Sequence, residues 1–350
     1  MIHSPRLELI AGLERRIHDI LKRYISPDEP LAILDFPDIR NCGDSAIWLG
    51  EITYLRKYFS GKAPDYVSRM KDFSAAALRR RVPQGPVFIH GGGNFGDIWP
   101  GHQEFREKVL AELIGRRVIQ FPQSIHFNDA KRVDACASAI DRHGDFVLLV
   151  RDVQSQEFAE RHFNCATHLC PDMAFAIGPL SRPETSISVL AMLREDRESA
   201  QKPDQRADWA WPDIPREDWI TENCRAVARV KRWGWLSALA GGKPAERRFR
   251  MLNAAANQRL MERGIPQISR ARAIVTDRLH VHICALLMGR PHAVLDNSYG
   301  KVRGYLTAFS GGTDLSYLAK SLDDAIAWAR AQAETSASAT KPQLRGDQLS

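Results

Sequence analysis

The chain has 350 residues, 44% of them hydrophobic and 26% charged, which is the balance of a soluble globular protein with room for two domains of ordinary size. Its formal net charge of +7 suits anionic partners such as a phosphorylated substrate or an anionic membrane face, while the mixing of basic with acidic residues and the lack of any nucleic-acid-binding motif argue against nucleic acid. The six cysteines form neither a Cys-x-x-Cys pair nor a metal-ligand spacing, no apolar run approaches the roughly 20 residues of a membrane span, and the first residues lack a signal-peptide layout, so the expectation is a cytoplasmic protein with no metal, in which Cys165 and Cys170, the closest pair, are buried reduced thiols.

Residues 5–24 carry the apolar spacing of an amphipathic helix. Strand-like and helix-like stretches then alternate. A strand at 31–36 leads to a helix beginning near Asp44. A strand at 86–90 leads through a glycine-rich turn to a helix near 103–113. Strands at 117–121 and 146–150 are followed by helices near 129–142 and 153–161, and a strand at 166–170 ends in Pro171-Asp172. The stretch 178–183 reads as a linker. A second unit follows, with a strand at 187–193, an irregular stretch over 196–248, a helix near 249–263, a strand at 273–276, a helix at 279–288, a strand at 292–296 and a closing helix near 321–333. The alternation predicts the α/β class, with two Rossmann-like, doubly wound domains over 1–178 and 184–333. The Ser/Thr/Ala/Pro-rich residues 334–350 read as a disordered tail.

Five of the eight tryptophans, Trp209, Trp211, Trp219, Trp233 and Trp235, fall within 196–248. Such rings either pack a loose insertion onto its domain or stack on sugars and sit at membrane interfaces.

The most informative stretch is Thr276-Asp277-Arg278-Leu279-His280, at the end of a β-rich run and the start of an apolar helix. Ligands of open α/β sheets bind at this kind of edge, and the helix N-terminus favours an anion. Arg278 can fork two hydrogen bonds to a carboxylate or phosphate, and His280 can carry a proton near neutral pH. A salt-bridged structural turn is the plainer alternative. His282 faces another side of the helix and reads as packed.

Other strand ends carry further polar sets. Asn41-Cys42-Gly43-Asp44 offers a carboxylate that can cap a helix or take a proton from a sugar hydroxyl. In the 90–97 run, Gly91, Gly93 and Gly96 satisfy G-x-G-x-x-G, but no acid ends the next strand, so a nicotinamide cofactor is disfavoured and a loop approaching a phosphate or substrate remains. Arg151 is a second anion clamp or the partner of an acid such as Asp152. Asp172 reads as a cap. Asp296, Asn297, Ser298 and Lys301 follow the last strand, in a loop that binds an anion or sugar hydroxyls or is simply polar. His90 and His126 are second-rank candidates.

Taken in order, Asn41-x-Gly43-Asp44, the Gly91–Asp97 run, Phe121-Pro122-Gln123-Ser124, Val150-Arg151-Asp152, Pro171-Asp172, the Arg278-Leu279-His280 element and the run from Leu295 to Lys301 resemble the polysaccharide pyruvyl transferase family over about residues 30–310, the bacterial exopolysaccharide ketal-pyruvate transferases in particular. The resemblance implies two domains facing across a cleft in the manner of GT-B glycosyltransferases. It also implies phosphoenolpyruvate as donor, a sugar hydroxyl pair as acceptor, a pyruvate ketal as product, and no organic cofactor or metal. Arg151, Arg278 and His280 match its donor-binding and catalytic elements. Asp44 or Asp97 is the expected base. The expected binding residues are Asn41, Gly43, Gly92, Gly93, Asn94, Asp97, Leu279, Asn297, Ser298 and Lys301. A lipid-linked acceptor at the inner membrane face suits the positive charge and the tryptophans. The alternatives are a GT-B glycosyltransferase gripping a nucleotide sugar through Asp296, and a non-catalytic saccharide-binding protein.

Overall fold

The structure is a computed structural model that describes residues 4–59, 61–181, 183–195, 209–237, 244–296 and 301–340. The chain gathers into two units. The first takes Met1–Leu180, Trp219–Pro266 and Arg303–Gly311; the second takes Ser181–Asp218, Gln267–Val302 and Gly312–Ser350. This grouping differs from the continuous halves 1–178 and 184–333, because the chain returns twice to the first unit.

In the first unit, α1 (Pro5–Leu21) precedes β1 (Ala32–Leu34), α2 (Cys42–Tyr58), β2 (Tyr66–Val67), α3 (Ala75–Arg81), β3 (Val87–Ile89), β4 (Gly92–Gly96) and α4 (Pro100–Glu112). Then come β5 (Val118–His126), α5 (Ala130–His143), β6 (Phe146–Val150), α6 (Val153–His162) and β7 (Ala166–Leu169), closed by a 3-10 turn over Met173–Ile177. The strands lie in the order β2-β1-β3-β5-β6-β7, all parallel, with β4 also pairing with β5. The central strands β1, β3 and β6 are buried along their whole length, as continuous apolar runs must be when helices cover both faces. One face holds a core of Leu34, Ile89, Val109, Val118, Ile140 and Leu148.

In the second unit, β8 (Ile187–Met192) and β9 (Arg216–Glu217) come first. The chain then runs through α7 (Cys224–Leu236) and α8 (Pro244–Arg259), which belong to the first unit, and crosses by a π-helical turn and α9 (Ile265–Ser269) to β10 (Ala271–Thr276). It continues with α10 (Leu279–Met288) and β11 (His292–Val294), returns to the first unit within α11 (Lys301–Tyr305), and ends in the second unit with β12 (Ser316–Leu318) and α12 (Leu322–Thr340). The second sheet is also parallel, in the order β12-β11-β10-β8-β9.

Four expectations change. The glycine-rich "turn" at 92–96 is strand β4, since its backbone pairs with β5 through Gly92↔Gln123 and Gly96↔His126. The stretch 196–248 is irregular only in part: turns and coil over 209–215 and 218–223 separate β9, α7 and the start of α8, while residues 196–208 and 238–243 lie outside the described residues. The tail expected to begin at 334 is helical to Thr340 in α12, and the remainder, from 341 on, lies outside the described residues. Cys165 is half-buried rather than fully buried, although Cys170 is buried as expected. The tryptophans divide. Trp209 and Trp211 pack edge to face, 5.0 Å apart, against the second core; Trp219 is buried; Trp233 and Trp235 are 66% and 44% exposed on α7.

Candidate functional site

In each sheet the chain begins at an inner strand, places its second strand on one side and then crosses to the other side. The carboxyl ends of the two strands flanking that reversal leave a crevice that no crossover covers. In the first sheet the reversal lies between β1 and β3; in the second it lies between β8 and β10.

At the first reversal β1 ends in Asp35, the one described residue other than glycine with a positive φ, 64°. That region disfavours a Cβ, so its use here marks a backbone held by its surroundings. Asp35 is buried, and its Oδ2 accepts from His102 Nδ1 at 2.9 Å. β3 runs into His90, whose Nδ1 donates to Glu51 Oε2 at 2.9 Å, while Glu51 Oε1 accepts the Gly91 N–H at 2.9 Å. Gln120 and Gln123 side-chain amides donate to the His90 carbonyl at 2.8 and 3.1 Å. Asn94 is spent inside this network: its Oδ1 accepts from Arg106 and Gln123 at 3.1 and 2.9 Å. Burial pushes the Arg106 guanidinium down to about 10.

The N-cap of α2 is Asn41, not Asp44. Asn41 Oδ1 accepts the Gly43 N–H at 3.2 Å, and its Nδ2 donates to Asp44 Oδ2 at 2.7 Å. Asp44 therefore sits in the first turn, half-buried, with its carboxylate beside the glycine strand: Oδ1 lies 3.8 Å from where a Gly92 side chain would begin. Asp97 is differently occupied. Its carboxylate accepts the N–H groups of Asn128 and Asp129 at 2.6 and 2.8 Å and the Asn128 amide at 2.9 Å. Although burial opposes it, these donors hold Asp97 below the usual carboxylate range.

Arg151 ends β6 and is buried. Nε donates to Ser124 Oγ at 3.0 Å and Nη1 to Asp172 Oδ2 at 2.7 Å. Its acid is Asp172, while Asp152 caps α6 through the Ser155 N–H at 2.8 Å. Asp172 also caps the following turn by accepting the Ala174 N–H at 2.9 Å. Nη2 reaches the glycine strand: a Cβ on Gly93 would lie 3.1 Å from it, so only glycine leaves this guanidinium edge open.

At the second reversal Asp277 and Arg278 follow β10. Thr276 Oγ1 donates to the Met192 carbonyl at 2.7 Å and accepts the Arg278 N–H at 3.0 Å, which fixes the turn. Arg278 is buried and forks onto Asp218, with Nε on one oxygen and Nη2 on the other at 2.7 Å. Asp277 accepts the Arg194 N–H at 2.8 Å across the reversal, and burial pushes its carboxyl up. Arg278 is the N-cap residue of α10, Leu279 is its first buried residue, and His280 lies half-buried in the first turn, beside the N–H groups of the helix start. His282 is a packed histidine. Its Nδ1 meets His292 Nε2 at 2.7 Å, and burial takes both imidazoles down, His292 to about 4.

Asn297 and Ser298 lie outside the described residues, as does the side chain of Lys301, the first residue of α11. Sequence reasoning passed over Asp35, Glu51, His102 and Asp218. A signal existed for one of them: Glu51 lies seven residues after Asp44, on the same face of one helix.

A family model described as "Polysaccharide pyruvyl transferase" matches residues 41–299. A Schizosaccharomyces pombe protein named pyruvyl transferase 1 is 30% identical over 323 residues, spanning 87% of this chain and 76% of its own length. The Bacillus subtilis protein EpsO, whose name also places it among the pyruvyl transferases, is 26% identical over 307 residues, spanning 86% and 91%. An uncharacterised Klebsiella pneumoniae protein of known structure superposes with a TM-score of 0.55 over 88% of this chain and 99% of its own, at 17% identity, which is a likeness of α/β fold.

Proposed function

The chain belongs to the polysaccharide pyruvyl transferase family and is a transferase of pyruvate to polysaccharide, and from that premise we propose that it moves the pyruvyl carbons of phosphoenolpyruvate onto a hydroxyl pair of one sugar. The product is a pyruvate ketal, and inorganic phosphate leaves. The observation that supports this most is the second reversal point, where Arg278 is pinned in a two-pronged geometry and His280 stands at the N-terminus of α10.

The donor carries two anionic ends. Arg278, Arg151 and the N–H groups at the start of α10 are the cations and dipole ends assigned to them. His280 gives a proton to the methylene carbon. C2 then becomes oxocarbenium-like, one sugar hydroxyl attacks it, phosphate departs and the second hydroxyl closes the ring. Of the two proposed bases, Asp44 keeps the role, because the carboxylate of Asp97 is committed to three donors of its neighbouring loop. Asn41 orients Asp44. Gly43, Gly92 and Gly93 offer backbone without side chains, Leu279, Asn297, Ser298 and Lys301 complete the assigned binding set, and Asn94 leaves it because its side chain is engaged by Arg106 and Gln123. No organic cofactor or metal enters this reading. A lipid-linked acceptor at the inner membrane face fits the +7 charge and the exposed Trp233 and Trp235 beside Arg232.

The test is phosphate release from phosphoenolpyruvate against a panel of galactosides, glucosides, mannosides and their lipid-linked forms. His280→Ala is expected to lose ~10²–10⁴-fold in kcat while the protein stays folded. Arg278→Lys keeps a charge facing Asp218 but not the fork, and is expected to lose on the order of tenfold or more in kcat/KM. Wild-type turnover in either variant would sink the assignment. Tight binding of a nucleoside diphosphate with none of phosphoenolpyruvate would favour glycosyl transfer.

A further inference from the structure

We propose that His90, seated on Glu51, is a positioning residue that receives the acceptor's proton from Asp44; the proposal rests on the transfer reading above and on Asp44 as its base. His90 and Glu51 have side chains only 2% and 0% exposed. Both oxygens of Glu51 are engaged, one by the His90 ring and one by the Gly91 N–H. A carboxylate on Nδ1 fixes the tautomer, with the hydrogen on Nδ1 and the lone pair on Nε2. That Nε2 is shielded and has no hydrogen-bond partner among the described residues. Other buried histidines differ on one side of the ring or the other: His292 has its Nε2 against His282, and His143, whose Nε2 also has no partner among the described residues, has its Nδ1 on the Leu110 carbonyl rather than on a carboxylate. A bare, oriented imidazole nitrogen behind a buried carboxylate is the arrangement by which a proton is accepted and the resulting imidazolium is held.

The placement points to the same step. His90 stands at the end of β3, beside the sheet reversal, and Glu51 and Asp44 share one face of α2. The charged groups facing the ring are Glu51 and Asp44 from α2 and Asp35 from the end of β1. Burial pushes the Glu51 carboxyl up, with Asp172 adding to it, and Asp172 is itself bonded to Arg151. Burial alone pushes His90 down. Glu51 outweighs it, with Asp44 and Asp35 adding to the effect, so the imidazole holds a second proton more tightly than usual.

The step balances as follows. The acceptor O–H bond breaks as its oxygen bonds to C2 of the donor, and the proton passes to Asp44 and on to His90 Nε2. The C2–O bond to phosphate breaks with its electron pair on the leaving oxygen, which takes the proton back from His90 through Asp44. The methylene proton given by His280 is replaced from the second hydroxyl. Two hydroxyl protons thus end on the methyl group and on phosphate, and the Glu51–His90 pair finishes as it began.

The experiment follows phosphate release from phosphoenolpyruvate across pH in wild type, Glu51→Gln and His90→Asn, with the sugar panel above. Removing the Glu51 charge weakens the grip of His90 on its second proton, so the acid limb of kcat/KM is expected to move to lower pH by about one unit or more. His90→Asn is expected to lower kcat ~10²–10⁴-fold while KM for phosphoenolpyruvate stays within about threefold. A parallel NMR titration of the His90 ring in wild type and Asp44→Asn needs no substrate and is expected to show the imidazole titrating lower in the variant. An unmoved acid limb in folded Glu51→Gln, or a His90 titration indifferent to Asp44→Asn, overturns the relay. If wild type releases no phosphate with any acceptor, the transfer reading fails and the ring titration decides the coupling to Asp44 alone.

Discussion

Asp38 has three cationic partners at once: Lys231 at 2.5 Å and Arg259 at 3.2 Å on Oδ1, and Arg69 at 3.0 Å on Oδ2. Burial pushes its carboxyl up, but these partners outweigh burial and bring it from 3.8 down to about 2. In the unfolded chain the group takes its proton near the ordinary value; folded, it resists until about 2. Its contribution to stability is therefore complete above the unfolded value and is lost as pH falls through the folded one. The expected size is about 2 kcal/mol, at 1.36 kcal/mol per unit. Asp38→Asn should thus lower the urea-unfolding free energy at neutral pH by about that amount, and the deficit should shrink towards zero near pH 2. A deficit that is the same at both ends would show that shape rather than charge sets the cost. Charge pairing of this kind is what the sequence hides. Arg151 and Arg278 were legible as cations at strand ends, because strand–helix junctions are local patterns. Their acids, Asp172 and Asp218, lie 21 and 60 residues away and were found only by folding. Asp44 was legible as a carboxylate at the sheet edge, but its neighbour Asn41 does the capping, since either side chain suits that position.

At the scale of elements, α2 is held against the turn that follows β7 by the absence of a side chain. A Cβ on Gly50 would stand 1.9 Å from the Met173 carbonyl oxygen, a backbone atom that cannot swing aside. Gly50→Ala, which in an isolated helix would favour folding, should instead force α2 from the turn and destabilise by ~1–3 kcal/mol. The same movement displaces Glu51, the next residue, so a crystal structure of any folded variant should show the Glu51–His90 bond lengthened. Unchanged stability would mean that the close approach is not maintained. Elements that are unbroken apolar runs between polar strand ends, such as β6 and α10, or that carry a clear apolar pattern, such as α6 and β8, were readable at nearly their true bounds. β4 was not, because Gly92-Gly93-Asn94-Phe95-Gly96 has the composition of a turn and becomes a strand only by pairing with β5. α7 was passed over inside the stretch read as irregular although its apolar stripe is marked, while α8 was read as the helix near 249–263; the two pack on each other so closely that a Cβ on Gly234 would lie 2.8 Å from the Arg250 carbonyl. The short edge strands β2, β9 and β12 carry too few residues to show a period at all.

At the scale of the whole chain, the first unit is assembled from three separated segments, and its stability should reflect that. Cys42 Sγ donates to the Arg259 carbonyl at 3.1 Å, Trp48 Nε1 to Asn253 Oδ1 at 3.3 Å, and Tyr305 Oη accepts the Asp172 N–H at 3.2 Å. Arg56 lies 5.3 Å over the ring of Phe249, and α8 packs on α2. A fragment ending at residue 180 carries the whole first sheet, and from the order of its strands it resembles a complete doubly wound domain. It lacks Trp219, Phe249, Leu252, Leu260 and Tyr305, all buried in the intact chain. Each such side chain contributes about 1.5–3 kcal/mol when fully buried, against a typical net stability of about 5–15 kcal/mol for a domain. The missing burial is therefore as large as the margin, before counting Asp38 without Lys231 and Arg259 or a newly exposed face on α2. The fragment 1–180 is expected to show no cooperative thermal transition by circular dichroism, while a protein of the full sequence shows one. A cooperative, reversible melt of the fragment would mean that the returning segments are additions to an already stable domain, and the pairing of Arg259 with Asp38 and Glu222 would then belong to the late steps of folding rather than to what holds the unit together.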